Sequence, residues 1–506
     1  MNKRALIQFF YDRNYIMTPE FLQQLSDDFD YSSFLRQHRS LRPSEQVVLL
    51  TETKFSSLFL EVGVAETGGE IEVLQSYEDE PQKREVKDFV SYMKMRYNAL
   101  RKVLLQRGEL QNALSIAHAL TKGTREEATV IGLVSKKEET KNGSWVLELE
   151  DPTGTLKIIV SAQARDLLGT VDEIVLDEVI GVTGVTGTGV LYAKKVYFPE
   201  FPMIEYKKTE DDVALVFISD LHVGSKLFAK EEFERFLCWI NGEYGTEEQR
   251  GLARKVKYLI ISGDLIDGVG IYPGQEKELT MQDVYQQYDA LGEYLSQIRS
   301  DIKMVLCGGN HDALRLSEPQ PPLSREFARS LYKLKNVTIV SNPALVRVHK
   351  MFDILLYHGF CFDYYLNNVE YLRKAGGYDA SDVMLEFALR KRHIAPTHIS
   401  TLYIPDPNRD PLVIERIPDF FVSGHIHYDV KVRTYKNVTL IGNCSFQYKT
   451  TFQQKLGHTN VTWGKAVVVS LKTRAVTVLD FKEEAPDEAA LTLPEPKHIV
   501  GPCNSS

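Results

Sequence analysis

Between Ala128 and Phe201 apolar and polar residues alternate with a period of two, the mark of half-buried strands. Thr129-Val130-Ile131-Gly132-Leu133-Val134 and Ser144-Trp145-Val146-Leu147-Glu148-Leu149-Glu150 predict two strands, with Lys141-Asn142-Gly143 as the hairpin turn between them. Asp151-Pro152-Thr153-Gly154 predicts another turn, followed by Leu156-Lys157-Ile158-Ile159-Val160. Strands near Val179–Val185 and Val190–Tyr197 bring the count to about five, which predicts an OB-type β-barrel over residues 128–201. Such barrels serve as structural and docking modules as well as nucleic-acid binders.

Upstream the period lengthens. Val86, Phe89, Met93, Tyr97, Leu100 and Leu104 recur at three- and four-residue steps and predict an amphipathic helix. Residues 1–65 predict a small helical domain, with Thr18-Pro19-Glu20 as a start signal and Phe21, Leu22 and Leu25 on its buried side. Gly68-Gly69 and Glu78-Asp79-Glu80-Pro81 mix turn and acidic residues, so residues 66–127 read as an acidic linker leading into that helix.

Downstream, over residues 202–482, the apolar runs become continuous. They are Leu215-Val216-Phe217-Ile218, Tyr258-Leu259-Ile260-Ile261, Met304-Val305-Leu306-Cys307, Ile354-Leu355-Leu356-Tyr357 and Phe420-Phe421-Val422. Strands of this kind are buried on both faces, which predicts an α/β domain of two packed sheets flanked by helices. Its loops beyond the carboxyl ends of the strands are where a site is expected. The tail, 483–506, holds Pro486, Pro494 and Pro496 and reads as extended.

Each apolar run ends in a short motif of metal-ligand residues: Ser219-Asp220-Leu221-His222, Gly263-Asp264-Leu265-Ile266-Asp267, Gly309-Asn310-His311-Asp312, His358-Gly359 and Gly424-His425-Ile426-His427. Taken singly, an Asp-x-His or Gly-His-x-His is more often structural than catalytic. All five in order at strand ends are not a coincidence of composition. Oxygen and imidazole donors suit manganese, iron or zinc better than a thiolate-loving ion. The set is large enough for two divalent ions side by side, the arrangement that grips both attacking and leaving oxygens of a phosphate ester. Asp220 and His222 stand two apart on a strand exit and can hold one ion, and Asp264 is best placed to bridge both. Asn310 offers an amide oxygen, and His358, His425 and His427 fill the remaining positions. His311 follows Asn310 directly and can instead reach substrate, protonating the leaving oxygen as general acid, with Asp267 orienting its ring.

The chain of 506 residues implies two to four domains, and 43% hydrophobic with 25% charged residues is ordinary for a globular protein. A net charge of −9 excludes coating of nucleic acid by bulk attraction but leaves a local groove open. Cys238, Cys307, Cys361, Cys444 and Cys503 form no C-x-x-C pair, as expected in a reducing compartment without a disulfide framework. No apolar run approaches membrane-spanning length, and Met1-Asn2-Lys3-Arg4 is not followed by a signal-peptide core, so the expectation is a cytoplasmic protein. His118 reads as a surface or core histidine. Arg390-Lys391-Arg392-His393 reads as a solvated charged face or a contact to a DNA backbone. The run Phe360-Cys361-Phe362-Asp363-Tyr364-Tyr365 reads as packing, with one ring able to stack on a terminal base.

The five motifs resemble those of the calcineurin-like metallophosphoesterases, including the nuclease subunit of double-strand-break repair. Arg392-His393-Ile394-Ala395-Pro396-Thr397, Pro418-Asp419-Phe420, Asn443-Cys444-Ser445-Phe446-Gln447 and Thr451-Phe452-Gln453-Gln454-Lys455 narrow this to a resemblance to the archaeal family D DNA polymerase small subunit. The likeness is good from about residue 128 to 481 and looser before it, and the order of helical module, linker, barrel and phosphoesterase domain is also that family's. It implies a proofreading 3′–5′ exonuclease acting on single-stranded DNA ends, paired with a large polymerase subunit at the nucleoid, with the sliding clamp as a further partner. It implies metal positions at Asp220, His222, Asp264, Asn310, His358, His425 and His427, with His311 catalytic and two divalent ions, manganese first and magnesium, iron or zinc as alternatives. The related accessory subunits of eukaryotic replicative polymerases have lost these ligands and act as scaffolds, whereas every ligand is present here. A short acidic linker departs from family members that carry a long one. Two other readings remain open: a free-standing phosphoesterase, and a non-catalytic assembly subunit with a relic site.

Overall fold

The computed structural model describes residues 15–17, 48–50, 71–78, 83–455 and 457–482. Strands β1 (Tyr15–Met17) and β2 (Val48–Leu50) pair in parallel. These six residues are therefore strand where a helical domain was expected. Three-residue apolar runs are too short to display either period, and Tyr, Ile and Val favour a pleated backbone. The rest of that expectation, including the Thr18 start signal, lies outside the described residues, as does the 483–506 tail.

The expected linker also needs correction, because strand β3 (Ile71–Ser76) lies inside it. Its Ile71-Glu72-Val73 alternation is masked in the sequence by flanking glycines and acids. Helix α1 (Val86–Leu104) forms as expected, but its buried face widens to Tyr92 and Arg96 and its first turn is exposed. Tyr97, Leu100 and Leu104 are buried, together with Tyr92 and Arg96, while Val86 is 80% exposed. The stripe is broken because buried Arg96 has a partner: its Nε lies 2.7 Å from Asp410 Oδ2. Tyr92 donates its hydroxyl to the same carboxylate and His393 Nε2 lies 2.9 Å from it.

The barrel comprises β4 (Glu127–Glu139), β5 (Trp145–Asp151), β6 (Gly154–Val160), β7 (Val179–Thr186) and β8 (Val190–Tyr197), closed in the order β4-β5-β6-β8-β7. That order, with helix α2 (Arg165–Glu173) between β6 and β7, is compatible with the expected OB type. Alternation is visible in the packing, since Leu147, Leu149, Leu156, Ile158 and Val160 all enter the barrel core. The turn before β6 closes over Pro152-Thr153, and Asp151 Oδ1 caps it by accepting the Thr153 and Gly154 amides.

The remaining chain builds two six-stranded sheets. The first runs β12 (Val337–Val340), β11 (Lys303–Cys307), β10 (Val256–Ser262), β9 (Ala214–Ile218), β18 (Lys465–Ser470), β19 (Val476–Asp480). The second runs β16 (Lys431–Tyr435), β17 (Val438–Gly442), β15 (Phe420–Ser423), β14 (Phe352–Leu356), β13 (Ala344–Val348), β3. Phe217 of β9 meets Phe420 of β15 with ring centroids 5.8 Å apart, which joins the inner faces of the two sheets. On the outer face of the first sheet, Val216 and Ile218 pack with Phe233, Phe236 and Leu237 of helix α3 (Lys230–Ile240) and Leu291 of α4 (Val284–Ser296). On the outer face of the second, Leu355 and Phe421 pack with α5 (Phe362–Asn368) and α6 (Ser381–Lys391). Strands β9, β10 and β11 are parallel to one another, as are β14 and β15, so the five motif loops leave the same end of the sandwich. Among the described residues no helix is long and apolar enough to cross a membrane.

The Arg390–His393 segment is neither a solvated face nor a DNA contact. Lys391, Arg392 and His393 are buried. Lys391 Nζ sits 2.8 Å from Glu178 Oε2, and Arg390 pairs with Glu173 at 2.8 Å. Each charge entered the interior with a partner, which is what burial of a charge requires. His118, on the short helix Ile116–Thr121, is exposed.

Candidate metal centre

Backbone geometry singles out the motif loops first. Asp220, His222, Asp264, His425 and His427 all have positive φ, at 53°, 52°, 46°, 71° and 57°. Side-chain-bearing residues avoid this region, at about 1–3 kcal/mol each, and such strain gathers where a site needs it. The glycines beside them serve close approach. A Cβ on Gly424 would collide with Ser219 and the Asp220 carboxylate, and one on Gly309 with that of Asp264.

Among the described residues the structure brings the expected residues together in two groups that share one carboxylate, with a third, His222, Asp267 and His311, beside them. Asp220, His222, Asp264 and His427 have ligand atoms within 4.8 Å of one another, all four residues buried. Asp264, His358 and His425 form a second such group. Asn310 joins it, with Oδ1 2.9 Å from His358 Nε2. Asp264 Oδ2 stands 3.3 Å from His358 Nε2 and 3.7 Å from His222 Nε2, between the two groups. His222 Nε2 and His427 Nε2 face each other at 3.2 Å, and the latter lies 3.2 Å from Asp220 Oδ1. Nitrogens and carboxylate oxygens that converge this closely, away from water, form a donor set that fits divalent cations of the oxygen- and imidazole-seeking kind.

The partners behind these donors fix their direction. His358 Nδ1–H donates to the Ser262 carbonyl at 2.9 Å, which turns Nε2 into the centre. His222 Nδ1 lies 3.1 Å from Asp267 Oδ1, which does the same for that ring. Gln453 Nε2 is 2.9 Å from His427 Nδ1, and Asp363 Oδ2 is 3.1 Å from His425 Nε2. Asp220 is held in turn by the Ser219 hydroxyl and by the His425 amide, which donates to both carboxylate oxygens at 3.0 Å.

His311 sits beside the groups. Its ring lies edge-on to His222 with centroids 4.6 Å apart, and its amide donates to Asp264 Oδ1 at 2.8 Å. The expected orienting role of Asp267 is divided differently. Its main-chain carbonyl, not its carboxylate, accepts from His311 Nδ1 at 2.8 Å. The carboxylate is 3.9 Å away and instead engages His222 and the side-chain amides of Gln447 and Gln275. The reason is reach: with Asp267 and His222 both buried, the short side chain meets the ring nearest it.

Electrostatics follow this geometry. Burial disfavours charge on His358, yet the Asp264 carboxylate beside it raises its pKa to about 10. Burial likewise opposes ionisation of Asp264, but His358, His311 and His222 hold it well below the usual carboxylate range. Burial pushes His222 down, against its bond to Asp267. A little further out, burial and the Asp264 charge push Asp312 up to about 7, where it accepts from the Gly309 and Leu265 amides and ties the two loops together.

The centre opens on a cleft of about 250 Å³ lined by His311, Asn310, His425, Tyr272, Phe360 and Tyr378 among others. Asp363, Gln447 and Gln453 were not singled out as site residues by their type. Asp363 follows the His358 motif by five positions, and both glutamines lie in the segments Asn443–Gln447 and Thr451–Lys455, so position along the chain was the available signal.

Comparison with known proteins adds a family to this geometry. Residues 215–430 match the family of the B-type accessory subunits of DNA polymerases alpha and epsilon. A DNA polymerase II small subunit of Methanothermobacter thermautotrophicus is 40% identical over 73% of this chain and 75% of its own length. One from Halobacterium salinarum is 35% identical over 78% of this chain and 75% of its own. One from Pyrococcus furiosus is 39% identical over 78% of this chain, which spans 64% of that relative.

Proposed function

Because the chain belongs to the family D, or DNA polymerase II, small subunits of archaea, we propose that it is the metal-dependent 3′–5′ exonuclease subunit of a two-subunit replicative polymerase. In this reading the two sheets form a calcineurin-like phosphoesterase domain over residues 202–482, and an OB barrel over 128–201 precedes it. The observation that carries the reading is the pair of donor groups sharing Asp264, one buried and one open to the cleft. A site kept only for folding has no need of a free histidine edge beside it or of a cleft leading to it; the place of His311 and the cleft support the catalytic reading.

Two divalent ions, manganese first with magnesium, iron or zinc as alternatives, would supply charge neutralisation at the phosphate and an activated water. One would be held by Asp220, His222, Asp264 and His427, the other by Asp264, Asn310, His358 and His425. The chain's own residues do the rest. His311 lends its proton to the leaving 3′-oxygen: water adds to phosphorus and releases one proton to solvent, the P–O3′ bond breaks, and the departing oxygen keeps the electron pair and takes the His311 proton, which solvent then replaces. Because its Nδ1–H is occupied by the Asp267 carbonyl, Nε2 is the atom that carries the transferred proton. Gln453, Asp363 and the Ser262 carbonyl hold the histidine rings at fixed angles, so no reorganisation is needed when the phosphate arrives.

The partners of this reading are single-stranded 3′ ends and a large polymerase subunit. The test is to co-express the chain with that subunit from the same archaeon and isolate the complex. Primer extension and Mn-dependent removal of a mismatched 3′ nucleotide are then assayed for the complex and for each chain alone. The reading expects extension only when the large subunit is present and mismatch removal only when this chain is present. Removal by the large subunit alone would overturn it.

A further inference from the structure

The run Phe360–Tyr365 separates in the structure. Phe362 and Tyr365 are buried in the core of the second sheet, while Phe360 is half-buried and lines the cleft of the metal centre. There its ring meets His425 edge-on, with centroids 5.8 Å apart and planes at 69°. Tyr272 stands in the matching place beside His311, at 6.5 Å and 64°, and its hydroxyl donates to Glu278 at 2.8 Å, which fixes the ring. Two aromatic rings thus stand on opposite sides of the centre, each against one of its histidines. The cleft, about 250 Å³, lies just below the roughly 300–1,000 Å³ of ordinary ligand sites.

We propose that Phe360 is the stacking platform for the 3′-terminal nucleobase, and Tyr272 faces the base behind it, so that the cleft selects an unpaired 3′ end. The proposal rests on the exonuclease reading above. Stacking suits an enzyme that must accept every base, since each presents a π-face, and it favours unpaired ends because the last base of a duplex must first be unpaired and unstacked to enter the cleft. The assignment of sides follows from the chemistry. His311 protonates the oxygen that stays with the shortened strand, so the ring next to His311 faces the retained nucleotide. The ring across the centre, beside His425, faces the one released.

The test compares 5′-fluorescent single-stranded oligonucleotides carrying an intact 3′ nucleotide, an abasic 3′ residue, or an abasic penultimate residue. Each carries a phosphorothioate at the last linkage for binding by anisotropy and a normal linkage for kinetics. Wild type, Phe360→Ala and Phe360→Trp are measured on the full chain with manganese. Wild type is expected to prefer the intact end over the terminal abasic one by about 5- to 100-fold in Kd and KM. Phe360→Ala should abolish that preference while still penalising the penultimate abasic site, and Phe360→Trp should restore it. Equal binding of intact and terminal abasic ends by wild type would overturn the subsite, as would an unchanged preference in Phe360→Ala. If wild type discriminates the ends yet cleaves none, the subsite stands and the exonuclease reading falls. If it cleaves without discriminating, the reverse holds.

Discussion

Replacing Asp264 by Asn tests the shared carboxylate with almost no change of shape. In the wild type its Oδ2 stands 3.3 Å and 3.7 Å from imidazole nitrogens of the two donor groups, and its Oδ1 accepts the His311 amide at 2.8 Å. The amide keeps an oxygen for that bond, so the loops should stay in place. What is lost is one negative charge. At an effective dielectric near 20, a unit charge and a dication about 4 Å apart attract by about 8 kcal/mol. Part of this is offset because a neutral amide is cheaper to hold away from water. If one third survives, each ion loses about 3 kcal/mol, or roughly 100-fold in affinity. Both ions should weaken together, because both donor groups lose the same member. Elemental analysis after gel filtration and calorimetric titration with manganese read this directly, with circular dichroism to check the fold. Retention of two ions per chain would refute the bridging role. Loss of one ion with full retention of the other would confine Asp264 to a single site.

Other predictions follow from the same geometry. Arg96→Met leaves the buried Asp410 carboxylate without its guanidinium and should cost about 3–5 kcal/mol in urea unfolding; a loss under about 1 kcal/mol would show that the pair is not what seats α1. Burial, then the Arg96 charge, pushes His393 from 6.5 down to about 4, so the unfolded chain takes up a proton that the folded chain refuses. Stability from this residue is therefore complete above about pH 6.5 and declines by up to about 3 kcal/mol as pH falls to about 4. Burial opposes ionisation of Asp410, but Arg96 and His393 hold it well below the usual range, so a second loss begins near pH 4 and deepens below it. Urea midpoints flat between about pH 7 and 4 would contradict the first, and no further fall below about pH 4 the second. Gly424→Ala should displace Asp220 and lower metal content, read by titration, since the added Cβ meets Ser219 and the Asp220 carboxylate; unchanged content would show that Asp220 is not held by this close approach.

How much of this was readable beforehand depended on where the signal lay. The motif loops were legible because each combines a continuous apolar run with donor residues at its end, and both features are local. The barrel strands were legible for the same reason, since alternation and turn residues sit within a few positions of one another. The interior ion network was not. Arg96 and Asp410 are 314 residues apart, and nothing near either one signals burial; read locally, Arg390–His393 is a charged surface. The division of Asp267 between His222 and His311 was equally out of reach, because it depends on which ring the fold brings within a few tenths of an ångström. Strand β3 failed on composition: glycine and acidic neighbours outweighed a short alternation.

The most direct test of the account uses a 5′-labelled single-stranded oligonucleotide with manganese, comparing wild type and His311→Ala. The account predicts a ladder shortening from the 3′ end with 5′-mononucleotides released. The rate should be about 10²–10⁴-fold lower in His311→Ala, at unchanged metal content, because the donors of both groups remain. Absence of metal-dependent degradation by the wild-type chain, alone and in complex with its large subunit, would contradict the central claim, and equal rates for the two proteins would remove His311 from the mechanism.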